Sequence, residues 1–190
     1  MLSLLLKGGP VVSLLLISSF IGVYIVVQKW VYFKTNQIND DLLDKIKNSL
    51  LKTGKESTAR DLSLNRNFAY QILSTAIRLA DLKKDDLQDG VGARTAEELP
   101  KLEKNMNILS SIITVAPILG LLGTVLGLME VFNVISGGGL GDAAQLSAGI
   151  SQALITTVLG LSVAIPFIFA YQFLNAEINA RLNRLDNMVH

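Results

Sequence analysis

Cysteine is absent from this chain, which excludes a disulfide framework, thiol catalysis and cysteine-ligated zinc or iron–sulfur centres. Histidine occurs once, as the terminal His190, so neither a histidine-based metal site nor a Ser-His-Asp triad can be assembled. Charge is scarce too: only 17% of the 190 residues carry one, and 17 Lys+Arg balance 16 Asp+Glu to a net +1. A near-neutral chain offers no basic stripe for a nucleic acid. Without a nucleophile–base pair or a set of metal ligands, an enzyme is the least favoured class, and no cofactor is expected. What fills the chain instead is apolar: half of the residues are hydrophobic and the mean hydropathy is +0.44. That is too greasy for an ordinary soluble domain of this size and fits a membrane protein.

The charges are absent in blocks. An ionised side chain at the bilayer centre costs about 2.5–3.5 kcal/mol on insertion scales, so membrane spans show as stretches without charge. Between Lys7 and Lys29 lie 21 uncharged residues, and between Lys104 and Glu130 lie 25. From Asp142 to Glu177 there are 34 more, of which residues 150–175 are apolar enough to span. About 20 residues cross a hydrocarbon core of ~30 Å, so each block accommodates one helix. A cleaved signal peptide is the competing reading of the N-terminus. Lys7 as the sole early cation, the length of the apolar run and the lack of an A-x-A site favour a retained anchor instead, with Gln28, Lys29 and Trp30 at the interface.

Residues 29–104 hold 14 of the 17 basic residues, the 131–149 connection holds none, and Arg181 and Arg184 follow the third span. The positive-inside rule then predicts a periplasmic N-terminus and a cytoplasmic C-terminus, against the mild dissent of Lys7. Expected boundaries are residues 1–34 for transmembrane helix 1, 35–104 for a cytoplasmic helical region and 105–135 for transmembrane helix 2. A glycine-rich periplasmic loop over 136–149, transmembrane helix 3 over 150–175 and a cytoplasmic tail over 176–190 follow. In the cytoplasmic region, apolar residues interleave with charges at helical spacing. Gly54 lies in the stretch expected to turn between two amphipathic helices, and Asp89-Gly90 is expected to mark another break. From there the chain is expected to run as one helix into the second span. The fold class is therefore all-α, with three transmembrane helices and long helices 2 and 3 extending into a cytoplasmic stalk. Too little apolar surface for a core of its own points to oligomeric packing.

Ser136-Gly137-Gly138-Gly139-Leu140-Gly141-Asp142 is too glycine-rich for a stable helix. It is no phosphate loop, because no Lys-Ser/Thr follows the glycines.

Polar residues inside the spans carry the functional signal. In the second, Pro117, Gly120, Thr124 and Gly127 fall within an arc of about 80°. Small residues on one face let a second backbone approach, and Gly123-x-x-x-Gly127 is a familiar form of that contact, so packing is the favoured role of the glycines. Thr124 either bonds its own helix or turns to a wet cavity. In the third span Gly149, Gln152, Thr156, Thr157 and Gly160 occupy an arc of about 140°. Lipid cannot satisfy an amide and two hydroxyls, so this stripe must face protein or water. Matching stripes on two helices suggest a shared hydrated lumen, which three spans are too few to enclose; several copies are needed. Glu130, at the outer end of span two, snorkels by default and attracts cations to a pore mouth as the lesser reading. Pro166 is expected to kink helix three.

The runs Val115-Ala116-Pro117-Ile118-Leu119-Gly120-Leu121-Leu122-Gly123-Thr124-Val125-Leu126-Gly127 and Gly149-Ile150-Ser151-Gln152-Ala153-Leu154, with Thr156-Thr157-Val158-Leu159-Gly160 through Pro166, closely resemble the MotA/TolQ/ExbB proton-channel family. Three spans resemble its ExbB/TolQ branch rather than the four-span flagellar stators. The resemblance implies a homopentamer in the bacterial inner membrane whose second and third helices surround the single spans of an ExbD/TolR-like dimer. It implies a partner-borne aspartate as the protonation site, and work delivered to a TonB- or TolA-like protein for outer-membrane transport or integrity. It places Thr124 and Thr157 at pore-lining positions. Gln152 departs from the glutamate common there, and because an amide does not titrate, the titrating group must come from the partner. The expected function is thus an ion-driven motor or stator subunit, with the proton as the expected ion and sodium as the other. Alternatives are a non-conducting scaffold for a single-span partner and a stand-alone passive cation channel.

Overall fold

The computed structural model describes residues 9–35, 40–65, 67–137 and 143–189. Lys7, His190 and residues 138–142 of the glycine-rich connection lie outside them. Among the described residues all regular structure is helical: α1 (Gly9–Thr35), α2 (Asp40–Thr53), α3 (Lys55–Ser63), α4 (Phe68–Leu79), α5 (Lys84–Leu102), α6 (Met106–Ser136) and α7 (Ala143–Val189). Three helices are long and apolar enough to cross a membrane: α1 from Pro10, all of α6, and α7 over Leu146–Asn187. They coincide with the three charge-poor blocks. The 47 residues of α7 measure about 70 Å at 1.5 Å per residue, more than twice a hydrocarbon core of ~30 Å, so the expected extension of helix 3 beyond a membrane follows from its length alone.

The chain divides into two compact units, Met1–Gln28 with Asn105–Phe173, and Lys29–Lys104 with Leu174–His190. In the first, Val11 and Leu15 of α1 pack with Ala116 of α6 and Ala164 of α7, flanked by Leu119, Leu159 and Val163. Gly22 admits the Phe167 ring: a Cβ there would lie 2.5 Å from it. Asn105 Nδ2 donates to Gln28 Oε1 at 3.1 Å. In the most apolar stretch of α1, α6 and α7, only 28%, 22% and 28% is buried within the chain, which leaves most of each helix for lipid or further protein.

The second unit holds the short amphipathic helices. Its core gathers Ala59, Leu62, Phe68, Ala69, Ile72 and Leu73, with Leu174, Ile178 and Leu185 of α7 also buried. Gly54, at φ 87°, breaks α2 from α3 where a turn was expected. Asn67 caps α4, its side chain accepting from Ala69 N at 3.0 Å. Two buried cations hold helix ends. Lys29 Nζ donates to Leu102 O, in the last residue of α5, at 2.5 Å. Arg181 Nη2 donates to Phe33 O in the last turn of α1 at 2.6 Å, while its Nε meets Glu177 at 2.9 Å and its guanidinium stacks 4.7 Å from the Phe33 ring centre. Both satisfy carbonyls that a helix C-terminus leaves open, at the end where the dipole favours a cation. Buried Glu98 is paired with Arg94 at 2.8 Å and Lys101 at 2.7 Å.

Two expectations on helix continuity are corrected. Asp89-Gly90 is no break: α5 runs through it, and the interruption falls earlier, between Leu79 and Lys84. Gly90 is helical where a Cβ would strike Leu79 Cδ1 at 2.2 Å, so that glycine makes room for a neighbouring helix. Nor does α5 flow into the second span. It ends at Leu102, and Asn105 adopts a left-handed conformation, φ 69°, before α6 begins at Met106. Asparagine is among the few residues that tolerate this region. Pro100 stays within α5.

Candidate ion pathway

The crossing of α6 and α7 is made by glycine. A Cβ added to Gly160 would lie 2.6 Å from Ala116 O and 3.0 Å from Gly120 Cα; one added to Gly120 would lie 2.9 Å from Thr156 O and 3.0 Å from Thr157 Cα. No side chain separates the two backbones at this point. The contact continues along both helices. Gly123 faces the Thr156 side chain at 2.5 Å, Gly127 faces Ala153 Cβ at 2.8 Å, and Gly149 faces Val131 Cγ2 at 2.5 Å. The glycines of the two stripes therefore pack α6 on α7, as the small-residue pattern suggests. Pro117 is half-buried and Pro166 exposed, each inside its helix.

Close approach brings the hydroxyls of both stripes to one place. Gly120 O accepts from Thr156 Oγ1 at 3.0 Å, Thr157 Oγ1 at 3.2 Å and Thr124 Oγ1 at 3.3 Å. Ala153 O accepts from Thr156 at 2.7 Å and Thr124 at 3.1 Å. The hydroxyls of Thr124 and Thr157 also bond to one another. Thr156 is 3% exposed, closed between the two helices, while Thr124 and Thr157 are half-buried at the edge of the seam. A hydroxyl donates one hydrogen and accepts at two lone pairs, so in the Thr124–Thr157 pair one hydroxyl gives its proton to the other and keeps acceptor capacity.

Gln152, half-buried, lies one helical turn before Thr156 and lines a cavity of about 210 Å³ together with Glu130 of α6. Between Met106 and Ala176, Glu130 is the one charged side chain among the described residues. No cluster of three or more acidic or histidine ligands that could hold a metal occurs among the described residues. The arrangement is thus a seam of neutral hydrogen-bonding groups with one carboxylate toward its far end. Such a seam can solvate a cation or pass a hydrogen bond, but the threonines and the amide cannot store a proton.

The sequence profile of the MotA/TolQ/ExbB proton channel family matches residues 60–187, about two thirds of the chain. The chain belongs to this family. The match runs from α3 to the end of α7, so it contains the whole α6–α7 seam. Among its relatives, an ExbB homologue of Methanothermobacter thermautotrophicus is 27% identical over 182 residues, covering 95% of this chain and 64% of that protein. An ExbB-like protein of Synechocystis sp. is 32% identical over 178 residues, covering 89% of this chain and 68% of that protein. The Tol-Pal system protein TolQ of Haemophilus influenzae is 39% identical over 83 residues, covering 44% of this chain and 36% of that protein. This chain therefore spans somewhat less than two thirds of the archaeal relative's length. As a member of the ExbB/TolQ-like branch it is a multi-pass membrane protein, in a family described by the passage of protons rather than by a reaction.

Three features escaped sequence reasoning. The backbone carbonyls of Gly120 and Ala153 act as hydroxyl acceptors, which composition cannot show. Thr156 is shut between helices of its own chain, and periodicity places it on the stripe without saying how deep. Lys29 and Arg181 are helix-end caps, though as flanking charges they read only as signs of topology.

Proposed function

We propose that this protein is a proton-driven motor or stator subunit of ExbB/TolQ type in the bacterial inner membrane. In this reading five copies surround an ExbD/TolR-like dimer of single-span chains, and proton flow drives work on a TonB- or TolA-like protein for outer-membrane transport or integrity. The observation that carries the reading is the seam of Thr124, Thr156 and Thr157 across a glycine crossing in a chain of this family. Thr124, Gln152 and Thr157 line the pathway, with Thr156 as the buried hydroxyl that holds the seam together. The cytoplasmic region of 35–104 and the tail after 175 lie on one side of the membrane, the N-terminus on the other. The uncovered surface of α1, α6 and α7 supports assembly, because so little of each span is satisfied within one chain. The threonine seam has no titratable group, so the mid-membrane acid comes from the partner chain. One charge crossing 100 mV releases about 2.3 kcal/mol, enough to bias a mechanical step.

The test is proton flux into liposomes holding the purified chain with and without its single-span partner. Flux that requires the partner, and that falls by about tenfold or more in Thr157→Val while assembly persists, is the expected result. Equal flux without the partner would show a passive channel, and no flux with the partner bound would show a scaffold.

A further inference from the structure

We infer that Glu130 is a proton-accepting site on this chain and that the Gln152 amide, across the shared cavity, is its hydrogen-bonding partner in both protonation states. The cavity measures about 210 Å³, several times the ~30 Å³ that one water occupies in the liquid. Its other lining residues, Val131, Val134, Leu146, Ala148 and Gly149, are apolar. Glu130 and Gln152 are therefore the polar side chains that meet there. The element packed against Glu130 is α7, whose lining residues carry no charge and no titratable group; the α6 residues beside it are valines.

An amide is suited to face a titrating carboxylate. Its NH₂ donates to the ionised form, and its carbonyl accepts from the protonated one, so a rotation of the amide serves either state. A second carboxylate at 152 would instead couple the two titrations by like-charge repulsion. Proton uptake at Glu130 moves a proton from hydronium to a carboxylate oxygen, leaving water and a neutral acid, and release reverses it. A sodium ion is poorly served here: hard cations take about six oxygen ligands, and the side chains offer three oxygens in all.

Position links the site to the seam. Ala153, next to Gln152, accepts from Thr124 and Thr156, and Glu130 lies six residues beyond Thr124 on α6, about 9 Å along the axis. Resting on the reading given under Proposed function, Glu130 is then the first acceptor on the path, before the partner's acid. That explains how a chain with glutamine at 152 still presents a carboxylate to the same space.

The test joins two measurements on the full chain. Infrared titration in liposomes of the chain alone should show a protonated-carboxyl band that vanishes in Glu130→Gln and shifts in Gln152→Leu. In liposomes holding the partner as well, Glu130→Gln should lower proton flux by about tenfold or more, and Glu130→Gln combined with Gln152→Glu should return it to within about threefold of the parent. A band insensitive to both single substitutions, unchanged flux in Glu130→Gln, or no rescue by the exchange overturns the inference. If the parent shows no partner-dependent flux but the band behaves as expected, the motor reading fails and the Glu130–Gln152 proton site stands.

Discussion

Gly160→Ala adds one methyl group where α6 and α7 touch backbone to backbone. The new Cβ would lie 2.6 Å from Ala116 O and 3.2 Å from Gly120 N. Neither atom belongs to a flexible side chain, so the helices themselves must separate, by roughly 0.8 Å to reach ordinary contact. That movement stretches the bonds from Thr156 and Thr157 to Gly120 O, now 3.0 and 3.2 Å, to about 3.8 and 4.0 Å, past hydrogen-bonding range. Overpacking costs about 1–3 kcal/mol, and each inter-helix hydrogen bond in a membrane about 0.6 kcal/mol, so a loss of about 2–4 kcal/mol is expected. Equilibrium unfolding of the reconstituted protein measures it. Gly92→Ala is the control: Gly92 lies inside α5 with nothing within 4 Å of an added Cβ, and there alanine should be neutral or stabilise by about 0.5–1 kcal/mol. Stability of Gly160→Ala equal to the parent would refute the backbone contact, and with it the reason the hydroxyls converge.

Two further substitutions probe the second unit. Gly54→Ala, in open space but at φ 87°, should destabilise by about 1–2 kcal/mol through backbone strain alone, seen as earlier thermal loss of helix signal; an unchanged transition would contradict the left-handed turn. Arg181→Leu removes the donor to Phe33 O, leaving that helix-end carbonyl unmatched at about 1–3 kcal/mol, whereas half-buried Glu177 can turn to water. Hydrogen exchange should show the last turn of α1 opening first, and unaltered protection there would refute the cap.

The three spans were legible in the sequence because burying charge in lipid is so costly that its absence marks each helix. Membership of the family was legible because the glycine and threonine spacings of the second and third spans are long and ordered. The glycine stripe on α6 was readable as packing, since only small residues permit backbone contact, and the neighbours of Gly120 and Gly160 match that. Helix ends were harder. Asp89-Gly90 is a strong local signal for a turn, yet the space Gly90 leaves for Leu79 overrides it. The stop between α5 and α6 rests on one left-handed asparagine, Asn105, preceded by good helix formers, and on Lys29 capping Leu102 from 73 residues away. Depth along the hydroxyl stripe was invisible: period alone puts Thr156 and Thr157 side by side, whereas the crossing buries the first and leaves the second at the edge.

Because the chain has no cysteine of its own, a single introduced thiol reports its surroundings without background. Reactivity of Gln152→Cys in membranes toward a water-soluble thiol reagent, beside Phe169→Cys on the exposed apolar surface of α7, asks directly whether copies of this protein enclose a hydrated space. The expected outcome is fast labelling at position 152, slowed when the single-span partner is bound, with position 169 reached only by an apolar reagent. Labelling of position 152 solely by the apolar reagent would place that face in lipid and contradict a hydrated pathway.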